Sequence, residues 1–169
     1  AIEEIQTDGI SEHKQENIPN LVCNERFSIA FQITPRNVNQ GAVLSNEAKG
    51  TGRNGILVEF QDGHLRFHII SRWIAGVATL ETTHTFKSEV PIHVTLTNDG
   101  TQRSQGMRIY LNGKRAETRT LHNSNSNKSA KNTGGLMQVG FSQHIPGWEG
   151  AISDLRFYQL RTLTQEEAD

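Results

Sequence analysis

Apolar and polar residues alternate along most of this chain. Phe27, Ile29, Phe31 and Ile33 are interleaved with Ser28, Ala30 and Gln32. A period of two with one apolar face predicts a half-buried strand, and Pro35 ends it. Residues 42–45 read as a short apolar strand, and residues 49–55, with three glycines, as a flexible loop. Residues 56–60 and 65–70 flank Gln61-Asp62-Gly63-His64. Asp-Gly between two apolar runs predicts a hairpin, because both residues tolerate positive φ. Residues 75–80 predict a further strand, and Ile92, Val94 and Leu96 another after Pro91, turned by Asn98-Asp99-Gly100. Residues 107–111 and 116–121 are expected to pair as a hairpin around Asn112-Gly113-Lys114-Arg115. Residues 136–139 and 151–158 supply the last strands. Thr164 and Glu167 have capping-box spacing, so the chain is expected to end in one short turn of helix.

Two stretches fall outside this pattern. Residues 1–20 are polar apart from Ile2, Ile5, Ile10 and Ile18, and read as an irregular lead-in with one edge strand. Residues 122–135 are a low-complexity polar run, expected to be a mobile loop because strand pattern resumes directly after it. No repeat is visible. About ten to twelve strands predict one all-β domain over residues 1–169, built as two packed antiparallel sheets. Phe27, Phe31, Phe67, Val94, Leu96, Leu111, Ile152 and Leu155 are the expected core. An immunoglobulin-like sandwich would be shorter, with a Cys-Trp-Cys core that this chain lacks.

Composition agrees with many short strands. Hydrophobic residues are 34% and charged ones 21%, with Asn, Thr, Ser, Gln and Gly making up the balance. The net charge of −1 is interspersed, with no basic stripe to follow a phosphate backbone, so no nucleic-acid partner is expected. Cys23 is alone, which excludes an internal disulfide and a cysteine-based zinc site. The chain starts at Ala1 and has no apolar run of membrane-spanning length. It reads as a processed product or as a piece of a longer protein.

The candidate binding chemistry is aromatic and basic. Trp73 follows Ser71-Arg72 at a strand end, and Trp148 lies in Pro146-Gly147-Trp148-Glu149-Gly150, a loop-tip sequence. Either ring could stack on the apolar face of a sugar, or plug the sandwich. His64, Arg66 and His68 share one face of a strand. The two histidines lie about 13 Å apart by strand rise, too far to share a metal, so they read as polar residues on a solvated or concave face; on a concave face, His64, Arg66 and His68 would be a polar floor for a glycan or acidic peptide. Antiparallel pairing about Asp62-Gly63 brings Asn54-Gly55 beside Ser71-Arg72, and so Arg53 near Trp73. The candidate ligand-binding residues are therefore Arg53, Asn54, His68, Arg72, Trp73 and Trp148. Asn127-Lys128-Ser129 is a formal glycosylation sequon. Asp62-Gly63 and Asn98-Asp99-Gly100 read as turn chemistry, not ion ligands.

Several runs in order resemble a known superfamily. They are residues 92–100, Gly106-Met107-Arg108-Ile109-Tyr110-Leu111-Asn112-Gly113, Leu136-Met137-Gln138-Val139-Gly140, and Trp148-Glu149-Gly150-Ala151-Ile152 through Leu163. This succession is similar to laminin-G-like domains of the concanavalin A-like lectin and glucanase superfamily, over roughly residues 27–167. Arg53-Asn54-Gly55 and the run from Gly63 to Trp73 look like the laminin-G-like domain of large planctomycete proteins that also carry cytochrome-c-like domains. The resemblance implies a two-sheet jelly roll, export to the periplasm or exterior, and contact with other domains of a parent protein. No haem Cys-x-x-Cys-His occurs here, and no cofactor is expected.

The resemblance also bears on chemistry. Family members often carry Asp directly after the Ile of the last strand. Here that position is Ser153, which leaves Asp154 as the candidate ligand of a calcium ion short of one carboxylate. Related glucanases use a Glu-x-Asp-x-x-Glu run on one strand, and this chain has none; Glu59-Phe60-Gln61-Asp62 comes nearest. The expectation is a non-catalytic module that binds carbohydrate or another extracellular polymer. The alternatives are a structural interaction domain and, least favoured, a glycoside hydrolase.

Overall fold

The computed structural model describes residues 4–15, 21, 23–73, 75–125 and 136–168. Among these described residues there are thirteen strands: β1 (Ile5–Asp8), β2 (Lys14–Gln15), β3 (Phe27–Pro35), β4 (Gln40–Ser45), β5 (Gly55–Gln61), β6 (His64–Arg72), β7 (Gly76–Thr82), β8 (Ile92–Asn98), β9 (Met107–Leu111), β10 (Lys114–Arg115), β11 (Thr118–Asn123), β12 (Met137–Val139) and β13 (Glu149–Gln159). They form two antiparallel sheets. The six-stranded sheet runs β1-β13-β3-β8-β9-β10, and the seven-stranded sheet runs β11-β7-β6-β5-β4-β12-β2. The sheets face each other as the sandwich expected of a jelly roll.

The alternation read from the sequence decides which side chains lie between the sheets. Phe27, Ile29, Phe31 and Ile33 of β3 meet Ile56, Val58 and Phe60 of β5 and Leu65, Phe67 and Ile69 of β6 in one buried cluster. Phe27 and Phe67 touch edge to face at 6.5 Å. Each such side chain contributes about 1.5–3 kcal/mol by leaving water. All eight expected core residues belong to this cluster or pack on it, though Leu111 is only partly buried.

Asp62 and Gly63 both have positive φ, 51° and 82°, and make the predicted turn between β5 and β6. The hairpin expected over residues 107–121 is different. Asn112 and Gly113, at φ 49° and 78°, close a two-residue turn, and the hairpin partner of β9 is only the two-residue β10, while its other edge pairs with β8. The chain then crosses to the other sheet, where β11 pairs with β7. Periodicity predicts a strand over residues 116–121, found over residues 118–123 and so taking in the first two positions of the expected loop, but it does not show which strand this one joins. The lead-in also departs from expectation, since it contributes an edge strand to each sheet.

The C-terminal turn is present. Ala168 N–H donates to the Thr164 carbonyl at 2.9 Å. Glu167 N–H donates to Thr164 Oγ1 and Thr164 N–H to Glu167 Oε1, each at 3.3 Å, the reciprocal pair of a capping box. Ile2, Ile18, the sequon at Asn127 and residues 126–135 of the expected mobile loop lie outside the described residues.

Candidate functional site: the outer face of the seven-stranded sheet

Residues of β5, β6, β7 and β11 that alternate with the core residues point away from the six-stranded sheet. Strand register puts them in rows. Arg119, Glu81, Arg66 and Glu59 lie abreast across β11, β7, β6 and β5, and His122, Thr79, His68 and Leu57 form the next row. A second apolar cluster, Ala42, Leu57, Ile70 and Val77, floors one end of the face, with Trp73 and Ile145 packed on it. This face is therefore partly lined and partly apolar, unlike a fully solvated exterior.

His68 has only 2% of its surface exposed. Its Nε2 lies 2.7 Å from Glu59 Oε2 and its Nδ1 2.8 Å from Thr79 Oγ1. A carboxylate only accepts, so Nε2 carries the proton and, in the neutral ring, Nδ1 accepts from the threonine hydroxyl. Both nitrogens are engaged, so His68 braces the face and offers no spare donor to a ligand. Trp73 stands beside it. Its ring meets His68 at 6.1 Å and His122 at 6.0 Å, both edge to face, and the Arg53 guanidinium lies 4.2 Å from its centroid.

Arg53 is held from behind. Its Nε donates to Glu47 Oε2 at 2.7 Å, and the Glu47 side chain is wholly buried. Glu47 Oε1 accepts from Ser45 Oγ at 3.0 Å and Ser142 Oγ at 2.9 Å. A buried carboxyl group needs such partners to offset its lost hydration. The loop holding Ser142 also brings Ile145 onto the apolar floor, while Ala42 N–H donates to the Pro146 carbonyl at 2.9 Å. Trp73 N–H donates to the Gly52 carbonyl at 2.7 Å, joining the β6–β7 turn to the loop before β5.

Of the six sequence candidates, Arg53, Asn54, Arg72 and Trp73 gather at this end of the sheet, with His68 beneath them. Arg72 is exposed, and the Asn54 carbonyl accepts from Ala48 N–H at 2.9 Å. Trp148 is elsewhere. Its ring is 0% exposed and stacks on Phe60 at 6.2 Å, so it is a core residue and cannot meet a ligand. Gly41, at φ 126°, lets the chain pass Trp148; a Cβ there would come within 2.6 Å of the Trp148 Cα. The sequence reading missed Glu47, Glu81, Arg119, His122 and Ser142, because their roles come from partners on other strands and loops.

Asp154 sits in a bulge of β13, where the register shifts between Ser153 and Arg156 and φ is 50°. The bulge interrupts the strict alternation expected of Ser153 and Asp154. Asp154 Oδ1 accepts from Arg156 Nε at 3.0 Å. Among the described residues, no three His, Cys, Asp or Glu gather to hold a metal ion. Among them, too, no helix is long and apolar enough to cross a membrane.

Comparison with known proteins places this geometry. A family model described as the concanavalin A-like lectin/glucanases superfamily matches residues 8–169. The CBM40 module of the Ruminococcus gnavus IT-sialidase, solved with α2,3-sialyllactose bound, superposes with a TM-score of 0.75 at 15% identity, over 99% of this chain and 95% of that one. The heptameric SAP-like pentraxin of Limulus polyphemus gives 0.66 at 18% identity, over 98% and 79%. Domains LG4-5 of the mouse laminin α1 chain give 0.67 at 14% identity, over 95% and 44%. At these identities the likeness is one of fold. No curated protein sequence matches the chain.

Proposed function

The chain belongs to the concanavalin A-like lectin/glucanase superfamily, and from that premise we propose that it is a non-catalytic recognition module for carbohydrate or another extracellular polymer, bound on the outer face of the seven-stranded sheet. The observation that carries this reading is the braced group of Arg53, Trp73, His68 and Glu59. These side chains lie opposite the core, yet each is fixed by a specific partner. Fixed polar groups beside an aromatic ring and an apolar floor are what a sugar, with its hydroxyl rim and apolar ring faces, requires. The Ruminococcus gnavus module solved with sialyllactose lends support from the same fold.

The same face argues against hydrolysis. Glu59 and Glu81 both lie on it, two strands apart, which is roughly 10 Å. Glycosidase chemistry needs one such carboxyl to stay protonated as the acid. Burial raises the Glu81 pKa, but hydrogen bonds from Arg66 and Arg119 outweigh it and hold the group below its ordinary range. Arg66 also lies between the two carboxylates in register. Glu81 therefore stays ionised, and Glu59 is engaged by His68.

A glycan array probed with the isolated chain tests the reading. Binding to one polysaccharide class, lost in Trp73→Ala at unchanged far-UV circular dichroism, is the expected result. Silence across neutral and acidic glycans would remove carbohydrate from the proposal.

A further inference from the structure

We propose that Arg66 and Arg119, gathered on Glu81, form an anion subsite on this face that takes the carboxylate of an acidic sugar. The inference rests on the recognition reading above and narrows its ligand. Its basis is the arrangement of three side chains. Arg66 Nε donates to Glu81 Oε2 at 2.7 Å, and an Arg119 terminal nitrogen donates to Glu81 Oε1 at 2.6 Å. One carboxylate thus has both oxygens occupied and holds two guanidiniums about two strand spacings apart at their backbones. The carboxylate is the deeper partner: the Glu81 side chain is 8% exposed, against 30% for Arg66 and 52% for Arg119.

Each guanidinium carries five N–H donors in a planar fork. In these two bonds Glu81 takes one from each, so it does not use most of the donors of this pair. The unit keeps one positive charge, and its fixed planar donors match a carboxylate that accepts two parallel hydrogen bonds. The one acidic neighbour in the row, Glu59, is turned to His68. Composition points the same way. Strands β4 to β7 and β11 contain three arginines and no lysine, in a chain whose cations include lysines on β2 and β10, two of the four edge strands. Arginine is the side chain suited to bidentate carboxylate recognition, whereas lysine would serve a merely solvated face equally well. Trp73 and the apolar floor lie along the same strands, within reach of the rest of an oligosaccharide.

Calorimetric titration at low salt tests this. The probes are α2,3-sialyllactose and oligogalacturonate, with lactose and laminarin oligosaccharides as neutral counterparts and poly-glutamate as a carboxylate without sugar. The acidic sugars are expected to bind more tightly than their neutral counterparts and to weaken as salt is raised. Arg119→Gln should cost about tenfold or more in affinity, and Arg66→Lys should weaken binding although it keeps the charge. Arg108→Gln, which removes one exposed charge from the other sheet, should stay near wild type. Neutral sugars binding as tightly as acidic ones, or Arg119→Gln matching Arg108→Gln, would overturn the subsite and leave the recognition module standing. Poly-glutamate binding as well as the acidic sugars would overturn the sugar assignment. Failure of every sugar to bind would end the subsite and remove carbohydrate from the recognition reading.

Discussion

The guanidinium of Arg53 lies 4.2 Å from the ring centroid of Trp73, and the two residues come from loops at the outer end of one hairpin. β5 and β6 pair from Gln61↔His64 to Gly55↔Ile70, so the segments beyond Gly55 and Ile70 must emerge side by side. A cation over an indole face is worth about 0.5–1 kcal/mol where water still reaches it. Here Glu47 anchors the cation from the buried side, so the pair is held in place before any ligand arrives.

The two tryptophans should therefore separate cleanly on mutation. Trp148→Ala leaves a cavity against Phe60 and should cost about 3–5 kcal/mol, seen as a large fall in melting temperature. Trp73→Ala removes a half-buried ring from the surface cluster, so the fall should be smaller while ligand affinity is lost. If Trp73→Ala only lowers the melting temperature and leaves affinity intact, the ring is packing alone and this end of the sheet is not the site.

The core makes a simpler prediction. Phe31 is fully buried between the sheets, and Phe31→Ala should destabilise the chain by about 3–5 kcal/mol in urea titration. A cost under about 1 kcal/mol would mean that the two sheets do not pack as described.

Incubation with laminarin or xylan should release no reducing ends above the buffer control. Glu59 and Asp62 are the residues to change if release is seen. Activity that disappears in Glu59→Gln or Asp62→Asn would make this chain an enzyme after all.

The hairpin end was readable from residues alone because Asp62-Gly63 dictates its own turn and strand pairing then follows by counting. The Arg53–Trp73 encounter came with it. Trp148 was not readable in the same way. Pro146-Gly147 is turn chemistry, but whether the following ring faces solvent depends on Phe60, some ninety positions earlier. Glu47 and Ser142 are likewise joined across 95 positions, and no local pattern announces such a contact. The row Arg119-Glu81-Arg66 depended on β11 leaving the β9–β10 hairpin for the other sheet, a choice of partner that alternation does not encode.

Cys23 should be chemically silent. It is fully buried, and burial pushes its thiol pKa up to about 12. The thiolate is the reactive form, so a disulfide reagent at about pH 8 should find almost none of it. One thiol per chain should react once the protein is unfolded in urea. Rapid reaction of the folded protein would mean that the segment around Cys23 opens readily.

His122 supplies the pH dependence. It faces Trp73 and lies in the row with Thr79 and His68, next to the row of Arg66, Glu81 and Arg119. Burial, and then the charges of His68 and Arg66, push its pKa below the ordinary 6.5. The unfolded chain therefore takes up this proton first as pH falls. Stability tied to His122 is complete above the unfolded value and is lost progressively as pH drops below it, because the unfolded state binds more protons. Glu81, also held below its ordinary value, acts in the same direction but only in the carboxylate range. Melting temperature should thus decline between about pH 7.5 and pH 5.5, and His122→Asn should decline less over that interval. The other histidines are common to both proteins, so the difference in slope isolates this ring. Identical slopes would mean that His122 titrates as a solvated imidazole, and that the Trp73 end of the face is open to water around it.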